Sequence, residues 1–191
     1  MMSFQLVVIG TSAGGTNALK LLLSALRPDF TLPIVIAQHR DPHPGEQQCQ
    51  LLQRHSARPV REPYDKDVVE PCHVYLAPAD YHLAVERTGF ALSVDPPVDY
   101  ARPSIDVLFE SAADNFADGV IAVLMTGASR DGSRGLRRIK ERGGLAIVQD
   151  PDTSESATMP RAGITATTVD HVVLLSEIAP LLARLGQGTK A

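Results

Sequence analysis

Short apolar runs alternate along the chain with stretches whose apolar residues recur at helical spacing. Phe4 to Ile9 is apolar at nearly every position, the pattern of a strand buried on both faces. Leu19, Leu22, Leu23 and Leu26 then follow one helical stripe. Ile34 to Ala37 reads as a second buried strand, a helix is expected after Pro44, and Pro59 to Glu62 reads as a short third strand. In the middle, Val74 to Ala77, His82 to Glu86 and Phe90 to Val94 are strand-like, with Thr88-Gly89 as the expected hairpin turn. Asp95 to Pro103 holds three prolines and reads as an irregular connection. Ser104 is placed to cap a helix that carries Ile105, Leu108, Phe109, Ala112 and Phe116 on one face. A buried strand at Val120 to Met125 and a helix from Gly132 to Arg142 follow, the helix stopped by Gly143-Gly144. Strands at Leu145 to Val148 and Val172 to Leu175, and a helix capped by Ser176 with Ile178, Leu181, Leu182 and Leu185, complete the pattern.

Strands alternating with helices in this way predict an α/β fold: a Rossmann-like, doubly wound, mostly parallel sheet with helices on both faces and an antiparallel hairpin added. The 191 residues suit one domain, expected over 1–186 with a frayed tail at 187–191. Apolar residues make up 44% and charged residues 21%, and the net charge is -4. That balance excludes the basic stripe of a nucleic-acid platform. Arg134, Arg137, Arg138, Lys140 and Arg142 do cluster, as a solvated helix face or as a dock for an acidic partner. Cys49 and Cys72 form no metal-ligand pattern, so a reduced, cytoplasmic setting is the simplest expectation. No run approaches the ~18 apolar residues of a membrane span; no metal or organic cofactor is implied.

In open α/β sheets, ligands bind beyond the carboxyl ends of the strands, so the loops there carry the candidate chemistry. Gly10-Thr11-Ser12-Ala13-Gly14-Gly15 fits G-x-S-x-G between a strand and a helix. Small neighbours permit a tight turn that exposes the Ser12 hydroxyl, and the helix N-terminus aims N–H donors at the same space. The loop is also one residue from a phosphate-cradling G-x-G-x-x-G, and a plain glycine turn is a third reading. The second strand ends at His39 rather than the Asp or Glu that a dinucleotide site wants for its ribose. An imidazole there suits a general base, which favours Ser12 as nucleophile. His43, His55 and His171 read as bystanders, with His82 a weaker candidate. Spacing leaves the carboxylate that would hold the imidazole open among Asp41, Asp80, Asp131 and Asp150; the loop after the most apolar strand favours Asp131.

Several segments together resemble the catalytic domain of CheB-type protein-glutamate methylesterases. They are Val8 to Gly15, Gln38-His39, Val74 to Pro78 with His82-Leu83, Arg102 to Asp106, Thr126 to Gly132, and Gln149 to Thr153 with Met159-Pro160. The resemblance covers nearly the whole chain in order. It implies Ser12 as nucleophile, His39 as base and Asp131 as orienting carboxylate. The substrates it implies are glutamate methyl esters on chemoreceptor cytoplasmic regions, with deamidation of receptor glutamines as a related activity. The backbone N–H groups of Ala13 and Ala128 are candidate oxyanion donors, although the family commonly has Thr and Met there. The family's phosphoacceptor receiver domain is not expected within 1–191, and a separate regulatory protein is a candidate partner. A non-catalytic receptor-binding domain and a nucleotide-binding module remain the alternatives.

Overall fold

The computed structural model describes residues 4–40 and 46–187. Among these, β1 (Leu6–Thr11), β2 (Ile34–Gln38), β3 (Val60–Arg61), β4 (Val74–Leu76), β7 (Val120–Leu124), β8 (Leu145–Gln149) and β9 (His171–Val173) form one sheet. Its order is β3-β4-β2-β1-β7-β8-β9, and every pairing within it is parallel. The other two strands, β5 (His82–Glu86) and β6 (Gly89–Ser93), pair antiparallel as a separate hairpin. Six helices accompany them: α1 (Gly15–Ala25), α2 (Glu46–Gln53), α3 (Ile105–Phe116), α4 (Ser133–Glu141), α5 (Thr158–Ala166) and α6 (Leu175–Gln187).

The apolar runs become central strands because both of their faces are covered. Along β1, Val7 and Ile9 join a core with Leu19 and Leu22 of α1 and Leu182 of α6. Leu6 and Val8 point the other way, into a core shared with Leu108 of α3, Leu136 of α4, Met159 of α5 and Phe90 of the hairpin. Full burial of each such side chain contributes roughly 1.5–3 kcal/mol. From β1 the chain builds outward through β2 to the β3 edge. It then returns through the hairpin and α3 to place β7 on the other side of β1. That reversal puts a switch point between β1 and β7, where α/β sheets open a crevice. Gly10 lets α3 settle against the crevice: a Cβ there would lie 2.3 Å from Ile105 Cγ2.

Several boundaries differ from the pattern. The hairpin turn falls on Arg87-Thr88, since Glu86 pairs with Gly89; the turn expected at Thr88-Gly89 is one residue late. Helix α5 was not expected, and Pro160 stands at its third position, where the first turn has no internal N–H bond to lose. Ser176 lies inside α6 rather than capping it, and Glu177 Oε2 accepts from Leu174 N at 3.1 Å instead. Helix α6 runs through Gln187. Residues 188–191 and Pro44 lie outside the described residues. The last strand ends at Val173, short of the expected Leu175. The basic residues of α4 and its C-cap are largely matched by neighbouring acids: Arg134 meets Glu110 at 2.6 Å, Arg138 and the C-cap Arg142 meet Asp114 at 2.8 and 2.9 Å, and Lys140 meets Asp170 at 2.7 Å.

Candidate active site

Three adjacent strands end at the candidate residues. Ser12 follows β1, His39 follows β2, and Asp131 lies in the loop between β7 and α4. The β1–β2 ladder continues one step past the strands, with His39 N donating to Thr11 O at 3.0 Å. This seats the imidazole beside the Ser12 loop. That loop is braced from the β7 side, where Ser12 N and Thr11 Oγ1 both donate to Thr126 O, at 2.9 and 2.8 Å. Gly14 closes the turn with a φ of +78°, and a Cβ at that position would come within 2.7 Å of Glu155 Cβ. Only glycine satisfies both conditions without strain.

His39 Nε2 lies 2.7 Å from Asp131 Oδ2, with the imidazole only 15% exposed and the carboxylate fully buried. Asp131 is saturated with donors. Oδ2 also accepts from Ile105 N at 2.7 Å. Oδ1 accepts from Ser104 Oγ at 2.9 Å, and from Asp106 N and Gly132 N at 3.0 Å each. Two of these N–H groups open α3, so the carboxylate sits on that helix's positive end. Burial alone would push the Asp131 carboxyl up. Hydrogen bonds from His39, Ile105 and Asp106, with the attraction of His39, outweigh it and hold the group below the usual carboxylate range. Asp131 is therefore an anion that can only accept from Nε2–H, and whenever the imidazole is neutral the lone pair falls on Nδ1.

Ser12 and His39 line one open cleft of about 600 Å³, together with Ala13, Arg40, Tyr100 and Arg102. Among the described residues no hydrogen bond involves Ser12 Oγ, and neither Ala13 N nor Ala128 N meets an acceptor. Ala13 borders the cleft; Ala128 is exposed on the loop after β7 and is not part of its lining. The far rim is a tight turn in which Val98 and Ala101 exchange backbone hydrogen bonds of 3.1 and 2.9 Å. Its central residues, Asp99 and Tyr100, both have positive φ, and the Tyr100 side chain is fully exposed. Arg102 fixes this rim by donating to Asp80 Oδ1, at 3.0 Å from Nε and 2.6 Å from Nη2.

The remaining sequence candidates are accounted for separately. Asp80 is engaged by Arg102, and Asp150 caps a short 3₁₀ turn by accepting from Asp152 N at 2.9 Å. Asp41 and His43 lie outside the described residues. His55 contacts Ser24 Oγ at 3.4 Å, away from the cleft. His82 is buried outside the cleft, and its Nδ1 accepts from Ser104 N at 3.2 Å, steadying the residue that donates to Asp131.

A sequence model of the family described as CheB methylesterase matches residues 7–182. The chain belongs to the CheB methylesterase family. A crystal structure of the Thermotoga maritima CheB methylesterase catalytic domain superposes with a TM-score of 0.91 at 32% identity, covering 96% of this chain and 99% of that one. A Leptospira interrogans protein named as a putative protein-glutamate methylesterase/protein-glutamine glutaminase is 45% identical over 187 residues, 97% of either chain. A Rhodopseudomonas palustris protein-glutamate methylesterase/protein-glutamine glutaminase is 36% identical, across 98% of this chain and 50% of its own length. The chain thus spans about half the length of some CheB-family relatives and nearly all of others. Among the described residues, no helix is long and apolar enough to cross a membrane.

The sequence reading missed the holders of Asp131. Of the two roles of Ser104, the sequence makes only the helix cap legible. Ser104 performs that role, accepting from Val107 N at 3.4 Å, while its hydroxyl proton goes to Asp131. Thr126 and Gln149 were likewise unassigned: Thr126 Oγ1 donates to Ala13 O at 2.9 Å, and Gln149 Oε1 accepts from Thr126 N at 2.9 Å. The polar ends of two apolar runs, at Thr126 and Gln149, were the available signal.

Proposed function

We propose that this chain hydrolyses glutamate methyl esters on the cytoplasmic regions of chemoreceptors, with Ser12 as nucleophile, His39 as general base and Asp131 as orienting anion. The observation that carries the reading is the 2.7 Å contact between His39 and a buried, donor-saturated Asp131, in a cleft that also holds Ser12. His39 Nδ1 takes the hydroxyl proton as Ser12 Oγ bonds to the ester carbonyl carbon. The tetrahedral intermediate collapses with loss of methanol, which leaves carrying that proton from Nδ1. Water then gives a proton to Nδ1 and its oxygen to the acyl carbon. Collapse frees the glutamate, and the proton returns to Ser12. Asp131 stabilises the imidazolium in both halves. The unengaged N–H groups of Ala13 and Ala128 are the proposed oxyanion donors, a role that the backbone serves whatever the side chain. A receptor glutamine presents the same carbonyl with ammonia as leaving group, which makes deamidation the related activity.

The test is hydrolysis of a methyl-glutamyl receptor peptide, a glutaminyl peptide and a small aryl ester. It is combined with labelling by an acyl-serine reagent mapped by mass spectrometry. Ser12→Ala is expected to cost roughly 10⁴–10⁶ in turnover while leaving the fold intact. Label should fall on Ser12 and vanish in His39→Ala. Full activity in Ser12→Ala, or label on another serine, removes the nucleophile from this position. Preference for the aryl ester with no turnover of either peptide would redirect the substrate.

A further inference from the structure

One buried carboxylate lies beside the site without belonging to it. Asp106, in the first turn of α3, is 1% exposed and does not border the cleft. Its Oδ1 accepts from Gly135 N, in the first turn of α4, at 2.7 Å. The residue just ahead of α4's cap, Asp131, in turn accepts from Ile105 N and Asp106 N at the start of α3. The two helices therefore cap each other: each N-terminus is closed by a carboxylate from the other's leading segment. Asp106 also accepts no hydrogen bond from His39, whose carboxylate partner is Asp131.

We propose that Asp106 is a positioning residue for the esterase reaction, tying α4 to α3 so that Asp131 stays seated under His39, and that its negative charge strengthens the Asp131–His39 couple as a base. This rests on the triad reading given above. The charge has few compensating neighbours. Asp131 faces it from the loop ahead of α4, Arg134 approaches from α4 at 3.6 Å, and Glu110 lies one turn further along α3. Arg134 is shared, since its Nε lies closer to Glu110, at 2.6 Å. His82, from β5, reaches this group only through Ser104.

The environment is consistent with that placement. Burial pushes the Asp106 carboxyl up; Gly135 N–H and Arg134 pull the other way, while Asp131 and Glu110 add to the rise, leaving it at about 6. A raised folded value disfavours the anion, so this group's contribution to stability is complete below about 4 and lost as pH rises through 6. Above pH 6 the chain carries two adjacent buried anions whose mutual repulsion is relieved when His39 accepts a proton. A fixed tie between helices has no need of that charge.

Asp106→Asn separates the two roles, because its amide oxygen can still accept from Gly135 N while the charge is gone. The measurement is the pH profile of kcat/KM on a small ester, with Ser12→Ala run on the same ester as control. The acid limb of Asp106→Asn should move to lower pH by on the order of half a unit. In Asp106→Ala, which loses the tie as well, kcat should fall about tenfold or more with KM nearly unchanged. Should Asp106→Ala fail to fold, Asp106→Asn alone decides. An acid limb that stays in place or moves upward in Asp106→Asn, with Ser12→Ala inactive, overturns the proposal and leaves the triad standing. Full activity in Ser12→Ala would instead remove the triad reading, and this proposal with it.

Discussion

Asp131→Asn replaces one carboxylate oxygen by an amide that can only donate. Every partner of that carboxylate is a donor: His39 Nε2, Ile105 N, Ser104 Oγ, Asp106 N and Gly132 N. If the amide nitrogen takes the Oδ1 position, it faces two backbone N–H groups that cannot rotate away. At the Oδ2 position it faces only one, Ile105 N, plus an imidazole that can change tautomer. The second orientation is favoured, and it forces His39 to accept at Nε2 and carry its proton on Nδ1. Nδ1, the nitrogen proposed to take the Ser12 proton, then has no lone pair, and turnover should fall by roughly 10⁴. Stability should fall too. The Ile105 N–H is left buried and unsatisfied, at about 1–3 kcal/mol, and the start of α3 loses its anion, at about 0.3–2 kcal/mol. A sum of about 1–5 kcal/mol corresponds to a Tm lower by roughly 3–20 °C for a chain of this size. Calorimetry and aryl-ester kinetics on the purified variant read both quantities. A variant within tenfold of native turnover and with an unchanged Tm would refute the argument that a saturated anion orients His39.

Two further substitutions test the backbone of the site. Gly14→Ala places a side chain at φ +78° and into Glu155, and should destabilise by about 1–3 kcal/mol with loss of activity as the turn opens. A native melting temperature in that variant would contradict the turn geometry. Tyr100→Gly relieves a left-handed φ of +64° at a side chain with no burial to lose. It should raise stability by up to about 1 kcal/mol in chemical denaturation, and a clear loss would show that the exposed ring contributes contacts.

Legibility in the sequence followed burial. β1, β2, β7 and β8 are covered on both faces, so their apolar runs were unbroken and the α/β alternation could be read directly. The edge strand β9 is only partly buried and was placed slightly late. Helix α5 escaped because its buried residues, Met159, Pro160 and Gly163, include two helix-disfavoured types that earn their place through packing. Ser12 and His39 were readable because each directly follows a recognisable strand. The carboxylate was harder to choose: Asp41, Asp80, Asp131 and Asp150 all end near strands, and the relevant fact is that β7 lies next to β1. That adjacency depends on a crossover of the chain, which local pattern does not encode. The donors on Asp131 depend on α3 meeting α4 and were invisible for the same reason.

The three candidate groups hang from neighbouring central strands whose backbones are shielded on both sides. Amide protons in such strands exchange with solvent only when the whole molecule opens. The strands beneath the cleft therefore form its least readily opened part. The surface segment from Val94 to Arg102 belongs to neither sheet, and its later residues form the far rim of the cleft. Variation in that segment can retune which partner is admitted while leaving the reactive geometry untouched.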